Sequence, residues 1–153
     1  MADDERHESP EQRLDRNWGE LLQELRITQT GLQLLSGFLL TLPFTQVFAS
    51  LDEAQEGLYL ALVVIAAVAV GANMMPVMMH RRVFGDHVKD RVVEVGHLLS
   101  QVVIGAIALL LIGMGTLIFS VVLDWTAGII AGVCLTVVLA GLLAVIPNRL
   151  EPR

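Results

Sequence analysis

Three side-chain amides, Gln33, Asn73 and Gln101, lie inside long stretches of chain that carry no charge. On helices, each would sit about six residues from the end of its stretch nearest the basic residues, or about 9 Å along the axis. Amides at one depth on three helices can satisfy one another, and in hydrocarbon they must find some partner. The same layer could instead line a polar pocket or a permeation path. Gln29 and Ser36 extend it along the first helix at i, i+4, i+7 spacing, and His97 lies one turn from Gln101. Gln29, Gln33, Asn73, His97 and Gln101 are therefore the expected intramembrane polar layer.

Two further groups could hold a cation. His87, Asp90, Glu94 and His97 recur at intervals of three, four and three, which places them along one side of a helix. Imidazole and carboxylate together suit a divalent cation or a proton relay. A single ion cannot reach both histidines, which would be about 15 Å apart along a helix axis. A solvated face with Asp86–Lys89 and Arg91–Glu94 pairs accounts for the same residues. Met74, Met75, Met78 and Met79 flank Pro76 in i, i+4 pairs. Thioethers are soft ligands for Cu(I), so Met74, Met78 and His80 form a metal-handling alternative. Flexible apolar packing at a proline bend explains the same run. No metal or other cofactor is expected. Gly128, Gly132, Thr136 and Ala140 put a small residue at every fourth position. Such a stripe lets a second helix approach closely, either in the same chain or across a homodimer.

The elements that must position these groups follow from charge. The chain has 153 residues, of which 54% are hydrophobic and 17% charged. Residues 27–51, 57–80, 95–123 and 125–148 contain no Asp, Glu, Lys or Arg. A soluble helix needs a polar face and these runs offer none, whereas a membrane-spanning helix needs about 20 apolar residues. The expected fold is an all-α membrane protein with four transmembrane helices, at about 27–48, 57–79, 96–122 and 126–147, arranged as two antiparallel hairpins. Pro43 and Pro76 are expected to interrupt the first two spans, and Pro147 to end the fourth.

Residues 1–10 read as a disordered acidic tail. Residues 11–26 place Leu14, Trp18, Leu21, Leu22 and Leu25 at helical spacing with the charges opposite. This predicts a separate amphipathic helix at the membrane surface, serving as an anchor or as a docking surface for a cytoplasmic protein. It leads into the bundle of residues 27–148, and residues 149–153 form a tail. The first 24 residues lack a positive n-region and an apolar h-region, so the first span is expected to direct insertion itself.

All ten Lys and Arg residues fall before the first run, between the second and third, or after the fourth. The other two turns carry only Asp52, Glu53, Glu56 and Asp124. Basic residues stay on the cytoplasmic side, so both termini are expected in the cytoplasm of a bacterial plasma membrane. The net charge of −6 argues against a nucleic-acid partner. Cys134 is the single cysteine and permits no intrachain disulfide. No Walker A, HExxH, CxxC or GxSxG motif is present, and no run holds a carboxylate. An enzyme is therefore not expected.

The stretch from Arg16-Asn17-Trp18-Gly19-Glu20 through Arg26, Gln29-Thr30-Gly31 and Phe38 to Phe44 resembles the opening of a family of small actinobacterial four-span membrane proteins of unknown function. Pro76, His80-Arg81, Phe84 and Lys89-Asp90 resemble its central loop. The similarity covers about residues 16–95 and implies architecture alone. It also suggests a cytoplasmic cap, in which Trp18, Glu20, Glu24 and Arg26 meet His80, Arg81 or Lys89. The resulting expectation is a non-enzymatic accessory or scaffolding subunit. It would contact the lipid bilayer, a cytoplasmic protein at the cap, and another copy or membrane protein through span 4. A small transporter or channel and a metal-handling protein are the alternatives.

Overall fold

The computed structural model describes residues 10–82 and 89–150, all of whose regular elements are helices. They are α1 (Pro10–Thr41), α2 (Glu53–Arg82), α3 (Lys89–Val122) and α4 (Trp125–Leu150), with 3₁₀ turns at Leu42–Phe44 and Gln46–Ser50 between α1 and α2.

Local chemistry sets the boundaries. Pro43 follows closely on α1, and a proline disfavours helical geometry in the residue before it. The chain leaves the helix there, and Thr45 is extended at φ −95°, ψ 152°. Asp52 starts α2 with a reciprocal cap. Its Oδ1 accepts the Gln55 backbone N–H at 2.8 Å, while Gln55 Oε1 accepts the Asp52 N–H at 3.1 Å. Asp124 starts α4 in a similar way, accepting the Ala127 N–H at 2.8 Å. Pro76 does not end α2, which continues to Arg82, and α4 likewise continues past Pro147 to Leu150. A proline removes one bond from the helical ladder, and here the turns beyond it still close.

Three seams hold the bundle. On α1 the buried residues are Leu21, Leu25, Thr28, Leu32 and Leu39, with Leu35 half-buried between the last two. On α2 they are Gln55, Tyr59, Leu62, Ala66, Ala69, Asn73 and Pro76, and on α3 Gly96, Ser100, Val103, Leu110, Met114, Leu117 and Ser120. With half-buried Leu35 and Ile107 included, every interval is three or four residues, the spacing of left-handed knobs-into-holes packing. Tyr59 donates to the Leu39 carbonyl while Asn73 donates to that of Leu25, so α1 and α2 run antiparallel. Gln55 meets Ser120, and Leu62 lies against Gly113, so α2 and α3 do the same. α3 is the hub, because it packs along all three other helices, whereas among the described residues α4 packs along neither α1 nor α2.

The amphipathic segment 11–26 and the start of the first charge-free run form one helix. α1 runs through Arg26 without a break, and Leu21 and Leu25 are buried in the bundle, Leu21 against Gly96 of α3. The apolar stripe of the amphipathic segment is in phase with Leu32 and Leu39, so one seam serves the whole helix.

Three helices are long and apolar enough to cross a membrane: Glu53–Pro76, Leu98–Val122 and Trp125–Leu143, with mean hydropathies of 2.2, 2.7 and 2.3. α1 is not among them. Its charge-free helical part, residues 27–41, is only about 22 Å long and carries Gln29, Gln33 and three threonines.

Candidate functional site

Most of the polar groups inside the bundle gather at its two ends. At one end, Thr28 Oγ1 lies 2.9 Å from Asn73 Oδ1 and 3.0 Å from the Leu25 carbonyl oxygen, and Asn73 Nδ2 donates to that same carbonyl at 3.3 Å. Asn73 is 1% exposed. Its amide thus joins α2 to α1 through a carbonyl that already serves the α1 ladder. Beside it is a partly open cavity of about 190 Å³, lined by Leu22, Leu25, Arg26, Gln29, Asn73 and Met74. A water occupies about 30 Å³ of liquid, so the space is of a size for a few small molecules such as water. Its lining spans two turns of α1 and one of α2.

Nearby on α3, Ser100 is 1% exposed and its Oγ has no hydrogen-bond partner among the described residues. The Ser36 Oγ on α1 is likewise buried without a partner.

The opposite end is tied by Asp52. Besides capping α2, its Oδ2 accepts the Trp125 indole N–H at 2.9 Å, which links the start of α2 to the start of α4. The Gln55 backbone N–H, then the Trp125 indole, hold the Asp52 carboxyl below its ordinary value of 3.8, because both donors favour the charged form. Gln55 Nε2 donates to Ser120 Oγ at 3.3 Å, and Ser120 donates to the Leu117 carbonyl at 2.8 Å. The Phe48 and Tyr59 rings meet edge to face, their centroids 5.0 Å apart, which packs the 3₁₀ turns onto α2.

The expected polar layer is not assembled as three amides. Asn73 is at its place in the core, but Gln33 and Gln101 are exposed on the outer faces of α1 and α3. Neither has a hydrogen-bond partner among the described residues. Thr28 on α1 occupies the position that the sequence reading gave to Gln33, because it shares the heptad phase of Leu21, Leu25 and Leu32. Gln29 is half-buried at the cavity, and the His97 side chain lies outside the described residues.

Gly128 and Gly132 of the small-residue stripe are buried against α3. A Cβ on Gly128 would meet the Thr116 carbonyl oxygen at 2.8 Å and Ser120 Cβ at 2.9 Å, and one on Gly132 would strike Thr116 Oγ1. Thr136 and Ala140 are exposed, and Thr136 donates to the Gly132 carbonyl at 2.7 Å. Met74 is half-buried at the cavity and Met78 is 56% exposed. Among the described residues, no group of three or more His, Cys, Asp or Glu could hold a metal ion. In the expected cap, Trp18 and Glu24 are half-buried, Arg26 is exposed, and Glu20 lies 3.8 Å from Arg16. The side chains of His80, Arg81 and Lys89, and residues 83–88 with His87, lie outside the described residues.

Sequence reading missed Thr28, Ser100 and the joint of Asp52, Gln55, Ser120 and Trp125. The Asp-x-x-Gln spacing at 52–55 was a usable signal for the cap. Nothing local in the sequence points Trp125 at Asp52.

A family model matches residues 7–147, and the chain belongs to that family, a family of unknown function (DUF6328). No curated protein and no solved structure matches it.

Proposed function

We propose that this chain is a four-span membrane subunit that works by associating with other protein chains in the bilayer. α1 crosses beside α2 and α3, and both termini lie in the cytoplasm of a bacterial plasma membrane, as the ten basic residues favour. The observation that carries the reading is where the interior polarity goes. Thr28, Gln55, Asn73 and Ser120 are committed to helix–helix and helix-end hydrogen bonds, while the outer face of α1 keeps an unsatisfied amide. A bundle that used its interior to move a solute would need polar groups free to meet that solute. Of the polar groups without a partner among the described residues, the Ser36 and Ser100 hydroxyls lie inside, but both amides, Gln33 and Gln101, face outward, as on an association surface. The same distribution supports a scaffolding role rather than an enzymatic one.

The test has two arms. Affinity purification after mild detergent extraction should recover the protein with at least one other chain, either a second copy or a different membrane protein. Proteoliposomes of purified protein should show no ion or small-solute flux above that of empty vesicles. A monomer in native membranes, or a flux abolished by Asn73→Leu, would instead support the small transporter or channel reading.

A further inference from the structure

We propose that α1 forms the interface of a two-fold symmetric homodimer, in which Gln33 of one copy hydrogen-bonds Gln33 of the second near the middle of the membrane. The inference rests on the preceding reading that α1 lies in the bilayer and that the chain acts by association. It names the partner and the face.

Depth comes first. Tyr59 donates to the Leu39 carbonyl and Asn73 to that of Leu25. This antiparallel register brings Gln33 level with Ile65, the midpoint of the apolar stretch Glu53–Pro76. Gln33 is nevertheless exposed, with no hydrogen-bond partner among the described residues. An amide facing hydrocarbon there has no water to bond, and an unsatisfied polar group is among the most unfavourable neutral arrangements in a membrane. Gln101 poses no such problem. Leu21 lies against Gly96 on the parallel pair α1 and α3, which places Gln101 level with Arg26, where the charge-free stretch ends and headgroup water is in reach.

The surroundings of Gln33 fit a close helix partner. Gly37 lies one turn further along the same exposed face, and a Cβ there would meet nothing within 4 Å. Among the described residues no contact requires that glycine, although glycine weakens a helix interior. The Thr30 and Thr41 hydroxyls turn back onto the carbonyls of Arg26 and Phe38, at 3.0 and 2.8 Å, so they ask nothing of a neighbour. Ile27 and Leu34, 67% and 76% exposed, supply apolar knobs beside the notch at Gly37.

The occupant follows from complementarity. A primary amide carries both donor and acceptor, so Gln33 on a second copy is its own complement. Each Nε2 donates to the other Oε1 across a two-fold axis. Copies inserted with the same topology run parallel, so residue 33 meets residue 33. No charge lies between residues 27 and 51, so nothing on this face calls for an oppositely charged partner. A single buried amide pair in such a seam also sets register.

Oxidative cross-linking in native membranes tests this. The chain carries Cys134→Ser, a cysteine at Gly37→Cys, and either Gln33 or Gln33→Leu; copper–phenanthroline is the oxidant. The wild-type chain, with Cys134 exposed on α4, reports the alternative face. The expected result is a disulfide-linked dimer at position 37, with its yield reduced about threefold or more by Gln33→Leu, a modest effect because membrane hydrogen bonds are individually weak. Gln33→Leu places an ordinary apolar residue on an outward face, so it leaves the fold intact. Cross-linking at Cys134 but not at position 37 would overturn the α1 interface and leave association standing. So would linkage of position 37 to a different protein, or an equal yield with Gln33→Leu. Absence of any cross-link, with single copies counted by photobleaching, would overturn the association reading itself.

Discussion

Asn73 is the residue whose chemistry most directly joins two helices, because one side chain engages both the Leu25 carbonyl and the Thr28 hydroxyl. Asn73→Ala removes both bonds, leaves the Thr28 hydroxyl only the Glu24 and Leu25 carbonyls of its own helix, and should destabilise the bundle by about 1–2 kcal/mol. Unfolding in mixed micelles, followed by circular dichroism, measures it; the double variant with Thr28→Val should cost less than the sum of the two single changes. At the other end, Asp52 makes stability depend on acid. Its carboxyl is held below the usual aspartate value by the Gln55 N–H and the Trp125 indole. The contribution is therefore complete above that usual value and is lost as pH falls through the lowered one. Trp125→Phe should move the Asp52 titration toward the ordinary value, which an NMR titration of its carboxyl carbon would show. At this scale the sequence was only partly legible. Asn73 stood out as an amide in an apolar run, and it does sit in the core. Gln33 and Gln101 stood out equally, yet they face outward. Depth along a helix can be counted from its ends, but rotation about the axis needs the seam, and the seam runs through the inconspicuous Thr28 and Ser100.

The helices pack through small residues as much as large ones. Gly96 admits Leu21, Gly113 admits Leu62, and Gly128 brings the α4 backbone onto Thr116 and Ser120. Gly128→Ala would put a methyl 2.8 Å from a backbone carbonyl oxygen that cannot swing aside. It should force α4 off α3 at a cost of about 1–3 kcal/mol. Gly141→Ala is the matched control, since a Cβ there meets nothing within 4 Å. It should be neutral or stabilising by up to about 1 kcal/mol. Comparing the two in the same detergent titration separates packing from helix propensity. The existence and approximate bounds of α2, α3 and α4 were plain in the charge-free runs. Two features were not. Leu14 to Leu25 looked like a surface helix because its polar face is rich in charge, whereas its apolar face continues the α1 seam. Pro147 looked like a terminus, but a helix can carry one proline when the next turns still form.

For the whole molecule, the chain lays a more polar helix, α1, against two apolar ones, α2 and α3, with α4 packed on the far side of α3. α1 does not reach the hydropathy of a spanning segment by itself, yet Leu25, Thr28, Leu32 and Leu39 pack it along the α2 stretch that does. Under the proposed function these contacts would hold α1 in the bilayer, where its outer amide would call for a further partner. Overall charge patterning made the membrane character legible, whereas the status of α1 depends on inter-helix register, which no local window of sequence contains. The most direct measurement is the sidedness of two cysteines in a Cys134→Ser chain. One replaces Gln23 on α1 and the other Glu53 at the start of α2, both exposed. With a membrane-impermeant maleimide, Glu53→Cys should react on intact spheroplasts and Gln23→Cys only after the membrane is opened. Reaction of both from the same side would mean that α1 does not cross, and would contradict the account.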